Sequence, residues 1–277
     1  MRARTILAAA LSAAFLALFL GIWHLATLPK AQVQGAADEY ARLMGKGAKK
    51  SEGFPSPAQI GEGAFAQLSE PLYDRGPNDK GIAIQLGHSL GRVALGYALA
   101  ILFAVPLGFL IGMSPLLHQA LNPFIQVLKP ISPLAWMPLA LYTIKDSSAS
   151  GVFVIFVCSI WPMLINTAYG VGSVRREWLN VAKTLQVKPL RKALQVILPA
   201  AAPTILTGMR ISMGIAWLVI VAAEMLVGGT GIGYFVWNEW NNLNLTNVIF
   251  AILVIGIVGM ALDFAIGKLQ TLVTYVD

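Results

Sequence analysis

Charge is scarce in this chain. Only 12% of its 277 residues are Asp, Glu, Lys or Arg, against about a quarter in ordinary globular proteins. Cysteine is scarcer still: Cys158 stands alone, so no disulfide framework can form within one chain. The three histidines, His24, His88 and His118, lie in different regions. With a single cysteine they give neither a zinc-ligand spacing nor the nucleophile or metal constellation that a membrane-embedded enzyme needs. The net charge of +7 would suggest nucleic acid in a soluble protein. Here it is better explained by basic residues collecting in cytoplasmic loops of a membrane protein, and no nucleic-acid partner is expected.

What the chain has is apolar sequence, 57% of it, with a mean hydropathy of +0.69. The apolar residues fall into runs near the roughly 20 residues a helix needs to cross hydrocarbon, more than a soluble fold can hide. Residues 5–28 form the first run, behind Arg2 and Arg4. A signal peptide competes with a retained signal-anchor helix; the long apolar core and the lack of a small-residue cleavage site favour the anchor. Residues 30–85 are polar, with acids and bases nearly balanced, and read as an external loop with one short amphipathic helix near Ala37 to Met44. Five further spans are expected at 88–112, 122–143, 150–172, 203–226 and 248–269. The fold class is therefore an all-α polytopic membrane protein of about six transmembrane helices. Residues 1–29 form the anchor, 30–85 the loop and 86–277 the core.

Two cues fix the orientation. Arg2 and Arg4 hold the N-terminus in the cytoplasm, and six crossings then return the C-terminus to the same side. The loop at 173–202 also becomes cytoplasmic, and it holds Arg175, Arg176, Lys183, Lys188, Arg191 and Lys192 against Glu177. The loops near 144–149 and 227–247 hold only Lys145, Asp146 and Glu239, as the positive-inside bias requires.

Pro123, Pro130, Pro133 and Pro138 crowd the third span. Proline removes a donor and clashes with the preceding turn, so this helix should be kinked or interrupted. It then lies against protein or a water-lined pathway, or is simply a bent packing helix. Gly91, Gly96, Gly108 and Gly112 punctuate the second span as sites of close helix approach. Gly228-Gly229-Thr230-Gly231-Ile232-Gly233 resembles a nucleotide loop only superficially, because no strand precedes it. A flexible turn into a short helix at Tyr234 to Asn241 is expected there, capping the external mouth.

The basic loop is the most informative segment. Val181, Ala182, Leu185 and Val187 can share one face of a short helix; Lys188-Pro189 marks a turn, and Leu190 to Ile197 a second helix ending before Pro199. Such a unit suits docking in a partner's groove or lying on anionic lipid, and spacing does not separate the two.

The segment Asn180-Val181-Ala182, then Leu185-Gln186-Val187, then Val196-Ile197-Leu198-Pro199 resembles the cytoplasmic Glu-Ala-Ala loop of binding-protein-dependent ABC importer permeases of the type I fold. Ala182, Leu198 and Pro199 match. Asn180 replaces the usual Glu and Gln186 the usual Gly, where a left-handed turn would cost Gln about 1 kcal/mol. The similarity runs from about residue 81 to the C-terminus, through Ser89-Leu90-Gly91-Arg92-Val93, Pro133-Leu134-Ala135-Trp136 and Ala222-Ala223-Glu224. Gly76-Pro77-Asn78-Asp79-Lys80-Gly81 and Ile160-Trp161-Pro162-Met163 are similar to the nitrate and bicarbonate branch. The broader neighbours handle sulfonates, taurine and cyanate.

The resemblance implies a permease of the bacterial inner membrane that moves nitrate or nitrite inward by alternating access, with bicarbonate or a sulfonate as the alternative cargo. It implies pairing with a second copy, two cytoplasmic ATP-binding subunits that carry the ATP and magnesium, and an external solute-binding protein. No Gly-x-x-x-x-Gly-Lys-Ser/Thr motif occurs in the chain, which fits hydrolysis elsewhere. A non-transporting scaffold is the competing class.

Ionisable groups inside spans are costly and usually paired or functional. Arg92 with Glu224, and Arg210 or Lys129 with Asp263, are the expected pairs. The competing reading puts Arg92, Lys129 or Arg210 on the anion pathway, together with Trp136 or Trp217.

Overall fold

A computed structural model of the protein describes residues 2–27, 54–76 and 79–273. The expected amphipathic helix near Ala37 to Met44 lies outside them. The described chain falls into two compact units, Met1–Glu70 with Glu239–Phe250, and Pro71–Asn238 with Ala251–Asp277.

In the first unit, helix α1 (Arg2–Ala26) exposes Ile6, Leu7, Leu16 and Phe19 on all sides. A helix apolar all round belongs in hydrocarbon or a protein core, and none of the described residues from Ile6 to Ala26 is buried. Its Trp23 indole donates to the Pro55 carbonyl at 3.2 Å and rests against Phe54. Helix α2 (Pro57–Ser69) starts on a reciprocal cap. The Ser56 hydroxyl accepts the Gln59 amide at 3.4 Å, and the Gln59 side chain accepts the Ser56 amide at 2.8 Å. That Ser-x-x-Gln spacing is a local helix-start signal, so this part of the polar segment is helical rather than loop.

The second unit is built on α3 (Ile82–Met113), α6 (Ser147–Gly172) and α9 (Leu198–Val227). Helix α6 packs against both others. Close approach explains the fit. A Cβ on Gly96 would lie 2.8 Å from Ile155, one on Gly108 2.7 Å from the Leu164 carbonyl, and one on Gly208 2.6 Å from Asn166. Of the small residues expected to report packing, Gly96, Gly108 and Gly112 do; Gly91 faces open space.

The proline-rich span is two helices, α4 (Pro115–Leu128) and α5 (Pro133–Ile144), bent by 91° at the break between them. Among the described residues there are therefore five helices long and apolar enough to cross a membrane, or six spans with the bent pair counted as one. The last of them is α11 (Leu245–Val273).

The basic loop forms α7 (Arg176–Thr184) and the short α8 (Pro189–Lys192). The second helix does not end before Pro199, as expected from the sequence. A five-residue π turn, Ala193–Ile197, carries it straight into α9. Pro199 cannot donate to the preceding turn. The widened turn, with Leu198 N–H donating to the Ala193 carbonyl, lets the helix pass the proline. The resulting run Pro189–Val227 has 39 residues, about 58 Å at 1.5 Å each. It outruns a hydrocarbon core of about 30 Å, so its basic end projects beyond the apolar layer.

Candidate functional site

The loop is the first candidate. Val171, Ile197, Ala201 and Ile205 form a buried cluster at its base, with Val174, Leu179 and Leu198 packed on it. This fixes α7 against the start of α9. Ala182 is buried, whereas Val181 and Leu185 are 58% and 70% exposed. The four apolar residues expected on one face therefore divide: Ala182 points to the bundle, and Val181 and Leu185 point away. Trp178, Leu190 and Leu194 are exposed beside them. Asn180 is exposed, its carbonyl accepting the Thr184 hydroxyl at 3.0 Å. Val187 and Val196 are half-buried and Pro199 is exposed.

Helix α7 ends in a left-handed residue, Gln186, at φ 53°. The Gln186 amide donates to the Lys183 carbonyl and the Val187 amide to the Ala182 carbonyl, both at 3.0 Å. This is the double bond pattern that closes a helix with a left-handed residue, usually glycine. The turn is therefore kept without its glycine, and the strain falls on Gln186.

A second polar group occupies the end of the bundle where α3 and α6 begin and α9 ends. The Glu224 carboxylate, 4% exposed, is 2.7 Å from Arg92 Nη1. It also accepts from the Ser89 hydroxyl at 2.8 Å and the Gly233 amide at 3.0 Å. Arg92 further donates to the Thr230 carbonyl at 2.6 Å and the Ser148 hydroxyl at 3.0 Å. Gln85 accepts the Gly231 amide at 2.6 Å, and Ser89 accepts the Ile232 amide at 2.9 Å.

The glycine-rich stretch is consequently not a flexible turn: three successive backbone amides are held by side chains of α3 and α9. A Cβ on Gly231 would run into the Glu224 carboxylate, and one on Gly233 into the Val221 carbonyl. The sequence paired Arg92 with Glu224 but did not point to Gln85, and Gly231 and Gly233 were read only as part of a flexible turn. The alternate spacing of Gly229, Gly231 and Gly233 was the one local signal of the close packing there. The short helix that follows, α10, spans Ile232–Asn241.

The third candidate is a cavity of about 500 Å³ at the break between α4 and α5. Lys129, Pro130 and Ser132 line it from the break, Trp136 from α5, and Trp161 and Asn166 from α6. Pro162 lies within α6 beside it, and the Asn166 side chain donates to the Pro162 carbonyl at 2.8 Å.

The other sequence candidates lie apart from this cavity. Arg210 forms a two-point pair with Asp263, at 2.6 and 2.5 Å, leaving Lys129 out of that pair. Trp217 is 5% exposed, packs by Gly259 and donates its indole N–H to the Ile255 carbonyl at 3.0 Å. It lines none of the cavities described.

This architecture of packed spans, a broken helix and a projecting loop is shared with solved transporters. It aligns with a chain of the MetNI methionine ABC transporter in an inward-facing conformation, with a TM-score of 0.63 at 14% identity. The alignment covers 70% of this chain and 96% of that one. The fold is therefore that of a type I ABC importer permease.

Residues 104–274 match the family described as binding-protein-dependent transport system inner membrane component. The chain belongs to that family and is a multi-pass membrane subunit of a transport system. It is 43% identical over 220 residues to the nitrate import permease protein NrtB of Synechocystis, covering 79% of this chain and 80% of the relative. It is 43% identical to NrtB of Leptolyngbya laminosa, over 76% of each. It is also 43% identical to the bicarbonate transport system permease protein CmpB of Synechocystis, over 74% of each.

Proposed function

We propose that the chain is the membrane-spanning subunit of an ATP-driven nitrate importer. The observation that carries this reading is the 43% identity with the Synechocystis nitrate permease across four fifths of both chains. Bicarbonate is the second reading, supported by equal identity over a somewhat shorter match.

In the proposed system the chain sits in the inner membrane with both termini and the basic loop in the cytoplasm. The excess of Arg and Lys in residues 175–192 supports that orientation. Two copies form the pathway, and an external solute-binding protein delivers the anion to the opposite face. Two ATP-binding subunits hold ATP and magnesium; this chain supplies no group for hydrolysis. Each ATP-binding subunit grips the exposed apolar row of Trp178, Val181 and Leu185, a helix-in-groove contact. Closure of those subunits on ATP pulls α7. Because α7 is packed on the base of α9, the pull rocks the long helix and switches the cavity between the two sides.

The test is to purify the complex with its ATP-binding subunits and to measure ATP hydrolysis stimulated by the nitrate-loaded binding protein. The double variant Val181→Asp/Leu185→Asp should abolish copurification of the ATP-binding subunits. Retained copurification would refute the docking surface. Stimulation by the bicarbonate-loaded protein but not by the nitrate-loaded one would replace the cargo.

A further inference from the structure

We infer that Lys129 is the anion-contacting cation at the middle of the pathway, and that the break between α4 and α5 forms a weak site there for a compact oxyanion of single charge. The inference rests on the importer reading above and adds where the anion is met.

Position is the first argument. The break at residues 129–132 divides a 30-residue pair, Pro115 to Ile144, near its centre. The residues opposite it, Trp161 to Asn166 on α6 and Ile211 and Ile215 on α9, are also near the middles of their helices. Interrupted helices at mid-depth are where transporters place their solute sites, because irregular backbone survives there only beside a cavity.

Charge is the second argument. Arg92 is neutralised by Glu224 and Arg210 by Asp263. The Lys129 ammonium has neither a carboxylate nor a hydrogen-bond partner among the described residues, and it lines a cavity of about 500 Å³. A cation left unpaired at that depth costs several kcal/mol in hydrocarbon. A water-filled cavity that an anion visits removes that cost.

Chemistry is the third. One ammonium donates up to three hydrogen bonds, enough for one oxyanion. The rest of the lining named above is mostly apolar or aromatic, with Ser132 and Asn166 as the polar members. Such a site holds a monoanion loosely, as conduction requires. The N-terminus of α5, which opens on Ser132 and Pro133 without a side-chain cap, adds a favourable partial charge from the same break.

The experiment is nitrate uptake into proteoliposomes holding the complete complex, with ATP inside and the binding protein outside. Lys129→Gln should lower uptake about 10- to 100-fold, the range of one lost charge-assisted contact, and Lys129→Arg should keep most of it. In a Cys158→Ser background, Lys129→Cys should regain uptake on aminoethyl methanethiosulfonate, which restores a positive charge, and not on the neutral methyl reagent. Unchanged uptake by Lys129→Gln, or equal rescue by the neutral reagent, would overturn the site while leaving the importer intact. Absence of nitrate uptake by the unsubstituted complex would instead defeat the importer reading and the site with it.

Discussion

Arg92 and Lys129 are both cations within spans, and the partners of their charges differ. Arg92 meets a buried carboxylate, a backbone carbonyl and a hydroxyl, and the carboxylate it meets is held by two further donors. Lys129 stands at a helix break beside a cavity, with no described partner for its ammonium. One region spends its polar groups on one another and so fixes the turn between α9 and α10. The other leaves a charge for something that comes and goes. Charge inside a membrane protein therefore carries two meanings, and only its partners tell them apart.

The comparison breaks most visibly at Glu224. Glu224→Ala leaves Arg92, whose side chain is 15% exposed, without its counter-charge, and should cost about 3–5 kcal/mol. Thermal unfolding in detergent would check this, and a loss under 1 kcal/mol would mean that the polar group is not a structural lock. Lys129→Gln, in contrast, should change unfolding by no more than about 0.5 kcal/mol while transport falls; a large loss of stability would erase the contrast.

Packing sharpens the same division. Gly108→Val would drive side-chain atoms into the Leu164 carbonyl and Thr167 and should cost about 1–3 kcal/mol. Gly91→Val, facing open space, should cost less than about 0.5 kcal/mol. The pair is read by parallel melting curves, and equal losses would contradict the close approach of α3 and α6.

The smallest effect is expected at the loop. Gln186→Gly removes a side chain from a left-handed residue and should strengthen the end of α7 by about 1 kcal/mol. Slower amide exchange at Gln186 and Val187, whose N–H groups close the helix, would report it; faster exchange would mean that the left-handed turn carries no strain.

Much of the fold was legible in the sequence, for physical reasons. A run of 20 apolar residues has few alternatives to a membrane helix, and each of the four continuous spans expected after residue 85 falls within a helix. Prolines marked the broken span because a missing donor acts locally. Other features depended on partners distant in sequence. Nothing near Gln85 or Ser89 announces that their side chains will hold amides near residue 231. The direction in which Ala182 and Leu185 face depends on packing against α9, not on spacing alone. The passage of the helix through Pro199 needed a π turn, which leaves no simple periodic trace. Lys129 and Arg210 were equivalent candidates in the sequence until Asp263 was found beside only one of them.

The most direct measurement is accumulation of isotopically labelled nitrate by the complete complex in proteoliposomes, with and without ATP and with excess bicarbonate as competitor. ATP-dependent accumulation that bicarbonate does not suppress is the expected result. An assembled complex that hydrolyses ATP yet accumulates no nitrate, or one that accumulates bicarbonate in its place, would contradict it.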